Sequence, residues 1–369
     1  MTRGVPFLDL AAQQAEVTAE VLAVWEKQLS EGMFVGGAEV AAFECEYADY
    51  VGVAHVIGVS NGTDALELAY RAAGVERGDE VIMPANTFIA TAEAASRIGA
   101  TPVFVDVDEE YLLIDPDAIE AAITPRTRLI VPVHLFGQTA PIEHIRPIAE
   151  RHDITIVEDA AQSQGASGAA GRAGALGSLA ATSFYPGKNL GAAGDAGAVM
   201  TDDADAAALV RNLSSHGSSV KYVHDHIGMN ARMDAVQAAA LRAKLRRLER
   251  WNDARRAAAV RYAQMLGDIE GLRLPGVRPG NTDVWHLYVV RVAERDVIVD
   301  GLNGADIGTG VHYPTIVPLT EAYADLGHRR GEFPVAEAAA ERILSLPMGP
   351  HLTADQQEVV AAALRSVLA

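Results

Sequence analysis

Upstream of about residue 160, short apolar runs alternate with stretches of helical periodicity. His55-Val56-Ile57-Gly58-Val59, Glu80-Val81-Ile82-Met83, Pro102-Val103-Phe104-Val105-Asp106, Arg128–His134 and Ile154–Asp159 read as buried strands. Asp64–Ala73, Ala90–Ile98, Pro116–Ala122 and Ile142–Arg151 read as the helices between them. This alternation predicts βαβ units, and so an α/β fold with a largely parallel sheet covered on both faces. Ligands of such sheets bind outside the carboxyl ends of the strands. Gly62, Phe88, His134 and Asp159 are therefore expected along one rim.

Two further helical patterns precede the first strand, at about Ala12–Gln28 and Gly37–Tyr50. Downstream, Asp234–Leu266 reads as one long helix, with Val236, Leu241, Leu245, Leu248 and Trp251 at helical spacing. Arg242, Lys244, Arg246, Arg247, Arg250, Arg255 and Arg256 fall on its other faces. No groove-reading motif accompanies them, so the basic face is read as solvated and ion-paired, linking two domains. Past the Pro/Gly-rich stretch Leu274–Asn281 the remainder reads as a smaller α/β domain. A chain of 369 residues suits two domains. The division expected is 12–250 for a large domain and 251–369 for a small one, with segment 1–11 packing on the latter.

Charge narrows the partners. Thirty basic against 49 acidic residues leave a net charge of −19, which argues against nucleic acid and anionic membranes. Cys45 is the only cysteine, so neither an internal disulfide nor a cysteine-rich metal site is expected. It falls in a predicted helix and is expected to pack there as a small buried residue. No run of about 18 apolar residues predicts a membrane span. The N-terminus shows no signal-peptide apolar region, and the location expected is cytoplasmic.

The chemistry centres on Lys188, within Ser183-Phe184-Tyr185-Pro186-Gly187-Lys188-Asn189-Leu190-Gly191. A lysine in a glycine-rich, aromatic-flanked loop suits a covalent amine. Asp159 ends the Ile154–Asp159 run. A lysine for a Schiff base and an acid to keep a pyridinium protonated are what pyridoxal phosphate needs from a protein. Ser60-Asn61-Gly62-Thr63-Asp64 lies between a strand and a helix, where free amides and the helix dipole favour an anion. Taken alone, such a segment is more often a helix cap than a phosphate site. Phe88 fits ring stacking or core packing, and His134 fits a satisfied core histidine or a functional one. Gln162, one turn past Asp159, is placed to donate to a ring oxygen, and Ser183 to bind phosphate. Neither a P-loop nor a dinucleotide fingerprint is present.

In order and spacing these segments resemble the nucleotide-sugar aminotransferases, the DegT-type family of fold-type I pyridoxal-phosphate enzymes. The resemblance runs from Val5-Pro6-Phe7-Leu8-Asp9-Leu10 through Gly58–Leu66, Val157–Gln162, Ser183–Gly191, Asn230–Asp234, Trp285-His286-Leu287-Tyr288 and His312-Tyr313-Pro314 to Leu346–Leu352. It implies a large domain with a mostly parallel seven-stranded sheet and a smaller C-terminal α/β domain. It implies Lys188 as the Schiff-base lysine, Asp159 on the pyridine nitrogen, Gln162 on the phenolic oxygen and Phe88 on the ring. Gly62, Thr63 and Ser183 correspond to the phosphate cradle. Asn230 corresponds to an asparagine reaching the phosphate from a neighbouring subunit, which implies a homodimer with composite sites. Tyr185, Lys221, His312 and Tyr313 correspond to residues that hold the nucleotide-linked sugar. One departure is Gly194-Asp195-Ala196-Gly197, where the family often has Gly-Asp-Gly-Gly; alanine there questions any positive backbone angle.

The activity implied is transamination of a dTDP-linked 3-keto-6-deoxyhexose to the 3-amino sugar. Glutamate is the implied donor, and the cofactor passes through its pyridoxamine form. The tract around Lys188 looks most like members that aminate C-3. The alternatives are a C-4 aminotransferase, which shares every cofactor residue, and a non-catalytic regulator, which would not need Lys188, Asp159 and Gln162 together. A dehydratase of this fold usually has histidine in place of the lysine. A sulfur-transferring lyase would need a catalytic cysteine.

Overall fold

A computed structural model describes residues 4–368. Seven strands form the main sheet: β1 (His55–Val59), β2 (Glu80–Pro84), β3 (Thr101–Val105), β4 (Thr127–Ile130), β5 (Thr155–Asp159), β8 (Leu179–Ser183) and β9 (Gly197–Thr201). A two-residue hairpin, β6 (Ser167–Gly168) and β7 (Gly171–Arg172), interrupts the series. The order across the main sheet is β1-β9-β8-β5-β4-β2-β3. Strand β9 runs antiparallel to both its neighbours and every other pair is parallel. The expected mostly parallel, seven-stranded α/β sheet is therefore present.

The apolar runs are long because both faces are buried. Ile57, Val81, Met83, Leu129, Val157 and Val199 pack into one cluster with the helices Gly62–Ala72 and Ile89–Arg97. Their chain neighbours Val56, Ala198 and Met200 join a second, and Ile82, Ile130 and Ile156 a third. This is the period of two of a strand expressed on two faces. The same alternation turns Glu158 and Asp159 to opposite sides.

A separate apolar cluster draws on the helices Leu248–Leu266, Arg295–Gly304 and Ala354–Leu368, and on the antiparallel pair β10 (Tyr288–Arg291) and β11 (Ile343–Leu346). Val5 belongs to it and bridges Ile307, while the Met348 amide donates to the Phe7 carbonyl.

Several expectations need correction. The helix expected at Ala12–Gln28 is two, Leu10–Ala15 and Thr18–Glu31. Asp9 caps the first by accepting from the Ala12 amide. The long helix expected from Asp234 breaks at Arg246–Arg247 into Ala235–Leu245 and Leu248–Leu266. The first part packs on the helices Thr18–Glu31 and Gly37–Val51, and the second on Ala354–Leu368. Two packing directions override one periodicity. Its arginines are largely ion-paired as expected: Arg242 with Glu39 and Glu46, Arg246 and Arg247 with Glu20, and Arg250 with Glu16. Lys244 and Arg255 are instead buried. The strand expected from Arg128 stops at Ile130, because Pro132 has no amide to continue the ladder. Cys45 is exposed, off the stripe Val40, Phe43, Glu44, Tyr47 and Val51 that faces inward. The buried member beside it is Glu44, whose carboxylate takes the Gly58 amide and Arg211. Ala196 is buried and is not among the residues of positive φ, so alanine fits that loop.

Candidate active site

The carboxyl ends of β1, β2, β5 and β8 open into a cavity of about 640 Å³. Gly62, Thr63, Phe88, Asp159, Gln162, Ser183, Tyr185, Lys188 and Tyr313 all line it. Nine of the twelve residues to which the resemblance gives a site role thus come together. His312 lies just behind, its ring 5.7 Å from that of Tyr313. Lys221 and Asn230 do not join them. Both are exposed; Lys221 lies over the Tyr222 ring and Asn230 accepts from Arg232.

Asp159 is buried, and its two oxygens are claimed. The Thr91 hydroxyl donates to one at 2.7 Å and the Ala161 amide to the other at 3.1 Å. Thr91 spends its only proton there, so the Thr87 hydroxyl, 2.7 Å away, must donate to Thr91. Burial pushes the Asp159 carboxyl up, against the pull of Thr91, Ala161 and the Lys188 charge. Lys188 keeps some surface open to the cavity, yet burial lowers its ammonium to about 8. A group near 8 is a usable amine at neutral pH, as a nucleophilic lysine requires.

Gln162 is oriented from behind. The Phe136 amide donates to its side-chain oxygen at 2.7 Å, which leaves Nε2 as the group facing the cavity. That Nε2 reaches the Tyr313 hydroxyl at 3.2 Å. Phe136 itself has φ 64°, an unusual angle for a bulky residue. Its neighbour Gly137 has φ 131°, and a Cβ there would meet Asp283 Oδ1 and the Trp285 and His286 amides within 2.8 Å. The turn is bonded on both sides, Leu287 to Phe136 and Val284 to Gly137. This is where the Trp285–Tyr288 segment acts: it braces the turn that aims Gln162.

Asn189 ties the lysine loop to the same segment. Its amide nitrogen donates to Asn252 Oδ1 and the Val284 carbonyl, each at 2.9 Å. Its oxygen is therefore the acceptor for His286 Nδ1 at 3.2 Å. Burial, reinforced by the nearby Lys188 charge, keeps His286 neutral.

At the other end, Asn61 caps the helix Gly62–Ala72 by taking the Asp64 amide at 2.8 Å. The helix itself gives no partner to the Gly62 and Thr63 amides. A Cβ on Gly62 would stand 2.6 Å from the Ser183 Cβ, so the glycine keeps a cradle open between the helix terminus and Ser183. An amine, a buried carboxylate, an aimed amide and an anion cradle in one cavity fit pyridoxal phosphate. Phe88, half exposed, tilts toward Tyr313 at 5.4 Å and forms a wall of the same cavity.

His134 is not part of this site. It is fully buried, with Nε2 on Glu158 at 2.7 Å and Nδ1 accepting the Ala140 amide at 2.9 Å. Glu158 also takes the Gly174, Leu176 and Gly177 amides. The histidine points to the Glu158 side of the sheet, away from Asp159. His312 stands with Nδ1 on Ser345 Oγ at 2.8 Å and its ring stacked on Phe7. Burial and the Lys188 charge lower it to about 4, so it is uncharged at neutral pH. Thr91, Phe136, Asn189 and His286 were not singled out as site residues from the sequence. Asn189 and His286 lie within segments that carry the resemblance, and Thr91 lies in the first turn of the helix that Phe88 precedes.

Residues 15–365 match the profile of the DegT/DnrJ/EryC1/StrS aminotransferase family. The chain is 48% identical to the erythromycin biosynthesis sensory transduction protein EryC1 of Saccharopolyspora erythraea, over 98% of this chain and 99% of that one. It is 46% identical to the dTDP-3-amino-3,4,6-trideoxy-alpha-D-glucose transaminase of Streptomyces venezuelae, over 99% of this chain and 96% of that one. Among solved structures it resembles S. venezuelae DesV in complex with a ketimine intermediate, at 46% identity and TM-score 0.97, covering 100% of this chain and 99% of that one.

Proposed function

The chain belongs to the DegT/DnrJ/EryC1/StrS aminotransferase family and is a pyridoxal-phosphate-dependent aminotransferase, and we propose that it aminates C-3 of a dTDP-linked 3-keto-6-deoxyhexose with glutamate as donor. The observation that carries the chemistry is Lys188 and Asp159 in one cavity, with an anion cradle at Gly62, Thr63 and Ser183. C-3 is supported by the relative named as a 3-amino-trideoxyglucose transaminase. The products are amino-deoxysugars of the kind built into antibiotics or surface polysaccharides.

When bound, pyridoxal phosphate supplies a carbonyl carbon for Lys188 and a ring that withdraws electrons from the reacting carbon. The Lys188 amine takes a proton from the donor's α-carbon and delivers one to C-3 of the sugar. The Asp159 carboxylate holds the ring nitrogen protonated, steadied by Thr91. Gln162 Nε2 donates to the ring oxygen, and Phe88 covers the ring. Tyr185, Lys221, His312 and Tyr313 bind the sugar nucleotide. Asn230, exposed on its own chain, completes the phosphate cradle of a second copy, so the working unit is a cytoplasmic homodimer of two-domain subunits divided near residue 250.

The test is the product. NMR of the aminated sugar is expected to place nitrogen on C-3. An amine on C-4 overturns this regiochemistry and selects the alternative that shares every cofactor residue.

A further inference from the structure

Asp64 and Arg97 also line the cavity, and neither has a part in the proposed chemistry. Asp64 follows Thr63 in the first turn of the helix Gly62–Ala72. A carboxylate in a first turn complements the helix dipole. Here it stands beside the amides that are to receive a phosphate, and two anions at one helix terminus repel each other.

The surroundings of Asp64 answer that repulsion. Its Oδ2 accepts from Ser60 Oγ at 2.5 Å and from Asn61 Nδ2 at 2.8 Å. Its Oδ1 faces Arg97 Nη1 at 3.1 Å. Glu67, three residues on and buried, meets Arg97 Nε at 2.9 Å, an ion pair not aligned as a hydrogen bond. Arg71 lies 3.9 Å from the other Glu67 oxygen. Two carboxylates and two guanidinium groups thus balance behind Gly62 and Thr63. Arg97 is the member that touches both acids and also reaches the cavity. Without it the cluster carries a net negative charge at the phosphate end.

We infer that Arg97 is a positioning residue for the cofactor phosphate: by neutralising Asp64 and Glu67 it leaves the Gly62–Thr63 turn receptive to a dianion. This rests on the phosphate seat proposed above. Arg97 is half exposed, so its effect must fall as salt rises.

The test is fluorescence titration of the full-length apoprotein with pyridoxal phosphate and, separately, with pyridoxal, which has no phosphate. Arg97→Gln is expected to weaken pyridoxal phosphate by about tenfold at low salt and less at high salt, with pyridoxal unchanged. Arg97→Lys retains most of the affinity, and adding Asp64→Asn to Arg97→Gln restores much of the loss. Equal weakening of both ligands, or no weakening of either, overturns the inference. A parent protein with no preference for pyridoxal phosphate over pyridoxal overturns the phosphate seat, and the role of Arg97 with it. A preference that survives intact in Arg97→Gln overturns the role of Arg97 alone.

Discussion

Gln162 Nε2 donates to the Tyr313 hydroxyl at 3.2 Å, joining residues 151 positions apart. One belongs to the strand end that carries Asp159, the other to the segment expected to hold the sugar. Tyr313→Phe removes the acceptor but leaves Gln162 held by Phe136. One such hydrogen bond is worth about 1 kcal/mol. The Michaelis constant for the keto-sugar is therefore expected to rise roughly fivefold in steady-state kinetics. Visible absorbance of the bound cofactor should stay as in the parent. Loss of that absorbance would place Tyr313 with the cofactor instead.

Lys188 titrates near 8 rather than at 10.5 because burial penalises its charged form. Below that pH most of it is protonated and only a minority is reactive; above it most of the amine is free. The rate at which the apoprotein forms its yellow adduct with pyridoxal phosphate is therefore expected to rise through about pH 8. Lys188→Ala should form none and should lose turnover by at least about a hundredfold. A midpoint near 10 would mean that the amine is solvated.

His134 separates structure from chemistry. His134→Leu strips Glu158 of one donor and leaves the Ala140 amide without its acceptor. Each buried orphan costs about 1–3 kcal/mol, so a clear drop in denaturant midpoint is expected. Turnover of the folded fraction should stay within a few-fold of the parent. Lost turnover at unchanged stability would return His134 to the site.

Asn230 tests the composite site. Neither Lys188→Ala nor Asn230→Ala protein should turn over efficiently alone. Mixed after subunit exchange, one site of each heterodimer combines an intact Lys188 with an intact Asn230 from the other chain. Activity is therefore expected to reappear on mixing. If Asn230 serves its own chain, both sites stay defective and nothing reappears.

The sequence determined the alternation of buried strands and helices, and with it the rim at the carboxyl ends of the strands. It also determined the short-range chemistry there: Lys188 in its loop, Asp159 at a strand end, Gly62 and Thr63 opening a helix. These depend on periodicity and local backbone, which neighbours in the chain control. Tertiary structure alone decided what needs long-range contact. His134 and Asp159 looked alike as strand-end residues, but strand register turned one toward Glu158 and the other toward Thr91. The long basic helix broke because its halves pack in different directions. Phe136 aims Gln162 only because Gly137 lets the Trp285 segment approach. Arg97 meets Asp64 only because two helices lie side by side. No local pattern carries such pairings, since each exists only once the sheet has brought distant segments to one cavity.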